Sequence, residues 1–158
     1  MNDIIDYLLI GNTRLHWASN QNYSYEFSHT LINESLPKNI DFEKLIWASV
    51  GKYPTNNLLE KNKVTLQDIN LKNTPHFIGI DRALACFGAL RMVENKLSKN
   101  LLIVDLGTTV SMTKTDNLGN ILGGQLFPGF TTQLKSMEQN TKNLVCPNEL
   151  FIPNKKFE

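Results

Sequence analysis

A chain of 158 residues with 41% hydrophobic content is long enough to bury a core, and no apolar run approaches the ~20 residues that a membrane-spanning helix needs. Its 16 basic and 15 acidic residues give a net charge of +1 without any basic block, which argues against a nucleic-acid surface. Cys86 and Cys146 are too few and too far apart for a disulfide framework or a zinc site, and Met1-Asn2-Asp3 carries no positive leader, so a soluble, cytoplasmic protein is expected.

In chain order, residues 4–10, 14–19 and 23–30 read as three successive strands, with Asn20-Gln21-Asn22 as a turn. A polar loop with Pro37 follows. Lys44-Leu45-Ile46-Trp47-Ala48-Ser49-Val50 makes a fourth strand that stops at Gly51. Pro54 opens a helix through about Lys61, and residues 64–69 read as a short strand. After Gly79 the apolar residues Ala83, Cys86, Phe87, Leu90, Val93 and Leu97 recur at spacings of three and four, so the longest helix starts there. Asp81 lies in its first turn, where the helix dipole favours a carboxylate. His16, His29 and His76 show no ligand spacing and read as scattered structural residues.

Residues 101–104 form a buried-strand pattern that runs into Asp105-Leu106-Gly107-Thr108-Thr109, bringing an acid, a glycine and two hydroxyls to one strand end. That composition suits a phosphate and its metal ion. Glycine lets backbone approach phosphate oxygens, threonines donate, and a carboxylate beside them holds a cation or a water. Alone, the stretch fits equally a hairpin turn with a solvated acid. A second copy, Tyr7-Leu8-Leu9-Ile10-Gly11-Asn12-Thr13, favours the phosphate reading, because the two glycine loops are too far apart for a solenoid repeat and suit two half-domains facing across a cleft. Residues 110–115 and 120–127 then form two more strands around the turn Asp116-Asn117-Leu118-Gly119. Gly123-Gly124 permits close backbone approach, and residues 130–140 read as a helix before a loop-like tail from Leu144.

Duplicated strand-turn-strand phosphate loops, each opening a meander followed by helices, resemble the superfamily of actin, the heat-shock chaperone ATPases and the sugar and acetate kinases. Three ordered stretches narrow this: Ile10-Gly11-Asn12-Thr13-Arg14, Gly79-Ile80-Asp81-Arg82, and Asp105-Leu106-Gly107-Thr108-Thr109 with Gly123-Gly124 and Pro128-Gly129 behind it. In this order they look like type III pantothenate kinase. The resemblance implies an α/β chain of two actin-like (ribonuclease H-like) half-domains, each a β-meander with flanking helices. Residues 1–78 would form the first; the connecting helix and an incomplete second half would occupy residues 79–158.

The resemblance further implies transfer of the ATP γ-phosphoryl group to the primary alcohol of pantothenate, the first step of coenzyme A synthesis. ATP with Mg2+ and a monovalent cation, K+ or NH4+, would serve the reaction, and the chain would work as a homodimer. Asp81 would be the general base, with Gly79, Ile80, Asp81 and Arg82 contacting pantothenate. Gly11, Asn12, Thr13, Arg14, Gly107, Thr108 and Thr109 would meet ATP, and Asp105 would hold the metal ion. Arg82 could also offer its guanidinium fork to the pantothenate carboxylate.

The sequence departs from the family pattern in several places. An acid expected two residues before Gly11 is Leu9, and Asp6, three residues further upstream, has the wrong strand parity to replace it. His16 stands where a basic residue often follows the loop, and Lys72 where an aromatic residue is common. The family's next helix, with a substrate-touching threonine, is absent by residue 158. A second reading stays open on these grounds, a truncated or degenerate relative that acts as a nucleotide- or partner-binding protein without catalysis. A third is another small-molecule kinase on the same fold.

Overall fold

The computed structural model describes residues 5–21, 24–33, 40–51, 58–93 and 100–146. Seven strands and two α-helices occur there: β1 (Ile5–Ile10), β2 (Arg14–Gln21), β3 (Ser24–Leu31), β4 (Ile46–Ser49), α1 (Ile80–Val93), β5 (Leu101–Leu106), β6 (Thr109–Thr115), β7 (Ile121–Pro128) and α2 (Phe130–Asn140). They build a mixed α/β architecture of two sheets, ordered β3-β2-β1-β4 and β5-β6-β7.

β1 runs antiparallel to β2 and parallel to β4, and β2 runs antiparallel to β3. Period-two alternation then sorts β1: Leu8 and Ile10 face one side, Leu9 the other. Leu8 and Ile10 join Leu15, Trp17, Leu45, Trp47 and Leu58 in one buried cluster. Leu9 packs against a second cluster of Ala48, Ile69, Ile80 and Ala83, into which α1 docks. Both faces of the first sheet are thus apolar near the end of β1, which explains why Leu8-Leu9-Ile10 is an unbroken apolar run. The indole of Trp47 donates to the Leu59 carbonyl at 3.0 Å, satisfying the one polar atom of a nearly inaccessible side chain.

The second sheet is a meander held on one face by α1, which packs against β4, β5 and β6. Its buried positions on β6 are polar: Ser111, Thr113 and Thr115 alternate along the strand. The turn between β6 and β7 is organised by Asp116, whose carboxylate accepts from the Leu118 and Asn120 amides at 2.9 and 2.8 Å and from the Asn120 side-chain amide at 2.6 Å. Those donors hold its carboxyl below the usual carboxylate range. Gly119 closes the turn with φ +82°.

Two seams join the connecting segment and α1 to this second sheet. Lys72 donates its amide to the Gly119 carbonyl and accepts from the Ile121 amide, both at 2.9 Å, and Asn73, itself at φ 53°, reaches Asn120 at 3.2 Å. Arg82 on α1 directs Nε and one Nη to Thr113 Oγ1, at 3.3 and 3.0 Å. Gly124 makes room for this: a Cβ there would strike the Met112 carbonyl and lie 2.7 Å from that guanidinium nitrogen.

The strands and both α-helices follow the sequence pattern in order, with exceptions among the described residues. Asn20 and Gln21, expected in a turn, extend β2 and pair with Tyr25 and Ser24. β5, expected as a buried strand, is a largely exposed edge strand because the meander leaves it a neighbour on one side only. Residues 64–69 form no strand. Thr65 donates both its amide and its hydroxyl to the Asp68 carboxylate at 2.8 Å, so Leu66–Asp68 winds into a 3-10 turn instead. The helix expected from Pro54 to Lys61 lies mostly outside the described residues; its end is a 3-10 turn at Glu60–Asn62.

Leu15 is 0% exposed at the centre of the first cluster. Leu15→Ala should lower stability by about 2–5 kcal/mol, read from urea denaturation midpoints at unchanged slope. A surface change such as Glu43→Ala, which removes only the exposed ion pair to Lys61, should cost under about 1 kcal/mol.

Candidate functional site

The β1–β2 loop is tight because Gly11 donates its amide to the Arg14 carbonyl at 2.9 Å. A Cβ on Gly11 would lie 3.0 Å from that carbonyl and 3.3 Å from His16 Nε2, so the protein itself leaves little space for a side chain. Asn12, Thr13 and Arg14 are exposed along this loop. The β5–β6 loop repeats the plan, with the Gly107 amide donating to the Thr109 carbonyl at 3.2 Å. Gly107 differs from Gly11 in one respect: a Cβ there would meet only the Thr109 carbonyl at an ordinary 3.7 Å. No protein atom demands glycine at Gly107, and the open space lies outside the chain, where a ligand can approach.

The two loops converge. The hydroxyls of Thr13 and Thr108 lie 3.1 Å apart, a contact between residues of opposite halves of the sequence. The second loop is anchored from behind by the start of α2: Gly129 donates its amide to the Thr108 carbonyl at 2.8 Å, and Thr132 Oγ1 donates to the same carbonyl at 2.9 Å. Gly129 packs against the loop so closely that a Cβ would collide with the Gly107 and Thr108 carbonyls. Thr108 therefore has its main-chain oxygen engaged and its hydroxyl turned to the first loop.

Asp105 is exposed near the end of β5, opposite Ser111 on β6. Its charge reaches the first loop, since it acts on His16 and favours the protonated ring. Burial, His29 and Arg14 act against it, and the net effect lowers the His16 pKa. Asp6 is no substitute for an acid at Leu9. It faces the other side of the sheet and accepts a 2.6 Å hydrogen bond from Ser19, its cross-strand partner.

Asp81 occupies the first turn of α1, half-buried. Its Oδ1 accepts from the Arg82 amide at 2.8 Å and abuts Gly79, while Oδ2 carries no other hydrogen bond among the described residues. Arg82, expected to offer its fork to the pantothenate carboxylate, spends two donors on Thr113. A guanidinium has five, so three N–H groups remain outside those bonds. Cys86, one turn along, is buried, which raises its thiol pKa.

Sequence reading missed one pair. His16 and His29 are paired across β2 and β3, with Nδ1 atoms 3.0 Å apart and rings set edge to face. The pairing follows from the register: counting outward from the Gln21–Ser24 pair places positions 16 and 29 opposite each other, a register that the turn expected at Asn20-Gln21-Asn22 did not give. Among the described residues no three His, Cys, Asp or Glu side chains gather as a metal-ligand cluster. No helix there is long and apolar enough to cross a membrane.

Comparison with known proteins identifies the family. Residues 57–152, more than half the chain, match the family model described as type III pantothenate kinase. The type III pantothenate kinase of Thermosynechococcus vestitus is 32% identical over 142 residues, covering 87% of this chain and 54% of the relative. That of a Nostoc species is 32% identical over 171 residues, covering 87% and 60%. The chain spans about half the length of the curated relatives it matches. A solved structure from Campylobacter jejuni, described as of the Baf family of transcriptional activators, superposes with a TM-score of 0.59 at 19% identity, covering 87% of this chain and 61% of that one, which speaks to fold alone. By the family-model match over more than half of its residues, the chain belongs to the type III pantothenate kinase family.

Proposed function

We propose that this chain transfers the γ-phosphoryl group of ATP to the primary alcohol of pantothenate, giving 4'-phosphopantothenate and ADP. The observation that carries the reading is the meeting of Thr13 and Thr108 at 3.1 Å, with Asp105 at the same strand end. Two sheets so joined suit two actin-like half-domains, divided near residue 78, that clamp a nucleotide. Gly11, Asn12, Thr13 and Arg14 on one side, with Gly107, Thr108 and Thr109 on the other, would offer amides and hydroxyls to the phosphates.

Gly79, Ile80, Asp81 and Arg82 would hold pantothenate, and the open Oδ2 of Asp81 would take its hydroxyl proton. As that proton leaves, the alcohol oxygen bonds to the γ-phosphorus, the bridging P–O bond breaks, and ADP departs. Two of Arg82's donors hold Thr113, and those remaining suit the pantothenate carboxylate. The donor set fits a hard cation that keeps most of its water: one exposed carboxylate, Asp105, beside two threonine hydroxyls and the substrate's own phosphates. Mg2+, and K+ or NH4+ beside it, would offset phosphate charge when bound. Cytoplasmic location and a homodimer complete the reading by resemblance to the family.

A second reading has an observation of its own. Leu102 and Leu106 on β5 are 64% and 75% exposed, and Leu122 and Leu126 on β7 are exposed as well. An apolar surface of that kind suits a chain that binds a partner, with nucleotide bound but not turned over.

Purified chain given ATP, Mg2+, K+ and pantothenate should form phosphopantothenate. Asp81→Asn should cut turnover by about 100-fold or more while ATP affinity changes little. Calorimetric binding of both substrates with no turnover would falsify the kinase reading and favour the second. Asp105→Asn should raise the KM for ATP, and its cation requirement, more than the KM for pantothenate; equal rises would remove Asp105 from the cation site.

A further inference from the structure

Thr113, 1% exposed on β6, is the acceptor that Arg82 reaches from α1. A guanidinium only donates, so the direction of both bonds is fixed: Nε and Nη2, at 3.3 and 3.0 Å, give to Oγ1. The hydroxyl's own proton is then left for the sulfur of Cys86, its other hydrogen-bond partner. Two donors of one rigid plane aimed at one oxygen fix where the rest of that plane lies. Gly124 completes the seat, since a Cβ there would stand 2.7 Å from the same Nη2.

A tie between helix and sheet does not require a cation. Arg82 is half-buried, and its other three N–H groups meet no protein acceptor among the described residues. The ion pairs there join Lys61 to Glu43 and Lys63 to Glu60, and neither engages Arg82. Thr113 therefore orients the charge without neutralising it. A half-buried cation with spare donors and no paired carboxylate suits an anionic ligand group. Arg82 also holds Asp81, but through its main chain: the amide donates to Asp81 Oδ1 at 2.8 Å. Side chain and main chain of one residue thus serve different partners.

We propose that Thr113 is a positioning residue for the substrate carboxylate: by holding Nε and Nη2 of Arg82, its hydroxyl keeps the remaining N–H groups presented to that anion. The proposal deepens the kinase reading and rests on it. Released from Thr113, the long side chain would sample several rotamers, and binding the carboxylate would first have to order it again. The bond to Asp81 runs through the main chain and would survive. Loss of the Thr113 hydroxyl should therefore fall on the KM for pantothenate and leave kcat and the KM for ATP in place.

The test combines steady-state kinetics on the whole chain with calorimetry against pantothenate. Thr113→Val, nearly the same shape without an acceptor, should raise the KM for pantothenate about 5- to 10-fold, with kcat and the KM for ATP within about 2-fold of wild type. Thr113→Ser, which keeps the hydroxyl, should stay within about 2-fold throughout. In an Arg82→Met background, Thr113→Val should raise that KM no further, because the side chain it positions is gone. An unchanged KM in Thr113→Val at an unchanged melting midpoint overturns the proposal. So does Thr113→Ser as impaired as Thr113→Val, or a full additional loss in the Arg82→Met background. If Thr113→Val does not fold, the wild-type Arg82 Nε–H resonance decides: it should move on adding pantothenate, and a signal that stays put overturns the proposal. Wild-type chain that phosphorylates pantothenate while Thr113→Val does so normally sinks this proposal alone; wild-type chain that binds no pantothenate sinks the kinase reading with it.

Discussion

Helix α1 is the element on which both sheets depend, and small side chains make that double packing work. Ala83, buried almost completely, lets the helix close onto Leu9, Ala48 and Ile69 of the first half. Cys86 and Arg82 look the other way, toward Thr113 on β6. A helix with bulky residues at both positions would stand off one sheet or the other, because close-packed interiors tolerate little added volume. The convergence of the two loops is a consequence of this geometry. Thr13 and Thr108 meet because β1 and β5 are both set by reference to one helix.

The two sheets are stabilised unequally. The first is covered on both faces around β1 by apolar clusters that include two tryptophans, while its edge strand β3 is largely exposed. The second has Ser111, Thr113 and Thr115 at its buried positions and exposes most of β5 and β7. Thr115 Oγ1 is buried with no hydrogen-bond partner among the described residues, a cost the first sheet does not carry. The second sheet accordingly leans on polar links: Arg82 to Thr113, Lys72 to Gly119 and Ile121, and the start of α2 to the Thr108 carbonyl. Polar links are directional where apolar contact is not, so they can set the second loop accurately even though they add little net stability.

Much of this was readable from local pattern. The apolar run Leu8-Leu9-Ile10 announced a central strand, the three-and-four spacing announced α1, and the ordered glycine, acid and threonine motifs announced the loops. The apolar run at 101–104 suggested a buried strand, whereas it forms the largely exposed edge strand β5. What was not readable depended on partners distant in sequence or on local competition. Residues 64–69 carry the alternation of a strand, yet Asp68 captures the amide and hydroxyl of Thr65 and curls the chain. Arg82 reads as a surface fork because nothing nearby in sequence reveals Thr113 and Gly124. His16 and His29 read as scattered because their adjacency is a matter of the register between β2 and β3, which pairs Gln21 with Ser24 and so His16 with His29.

The charge pattern of the cleft follows from the same strand parity. Leu9 is where an acid would face the second half of the chain; an acid is present nearby, but at Asp6, whose even position turns it to the opposite face and into a bond with Ser19. The first loop is left with donors and bases alone: backbone amides, Thr13, Arg14 and the imidazole pair. The second loop brings the one carboxylate, Asp105. An anionic phosphate chain between them would meet donors on one side and, on the other, a group it can approach only through a cation. Under the proposed kinase reading, cation dependence would fall on one loop, and phosphate recognition would proceed on the other without a metal ligand from β1.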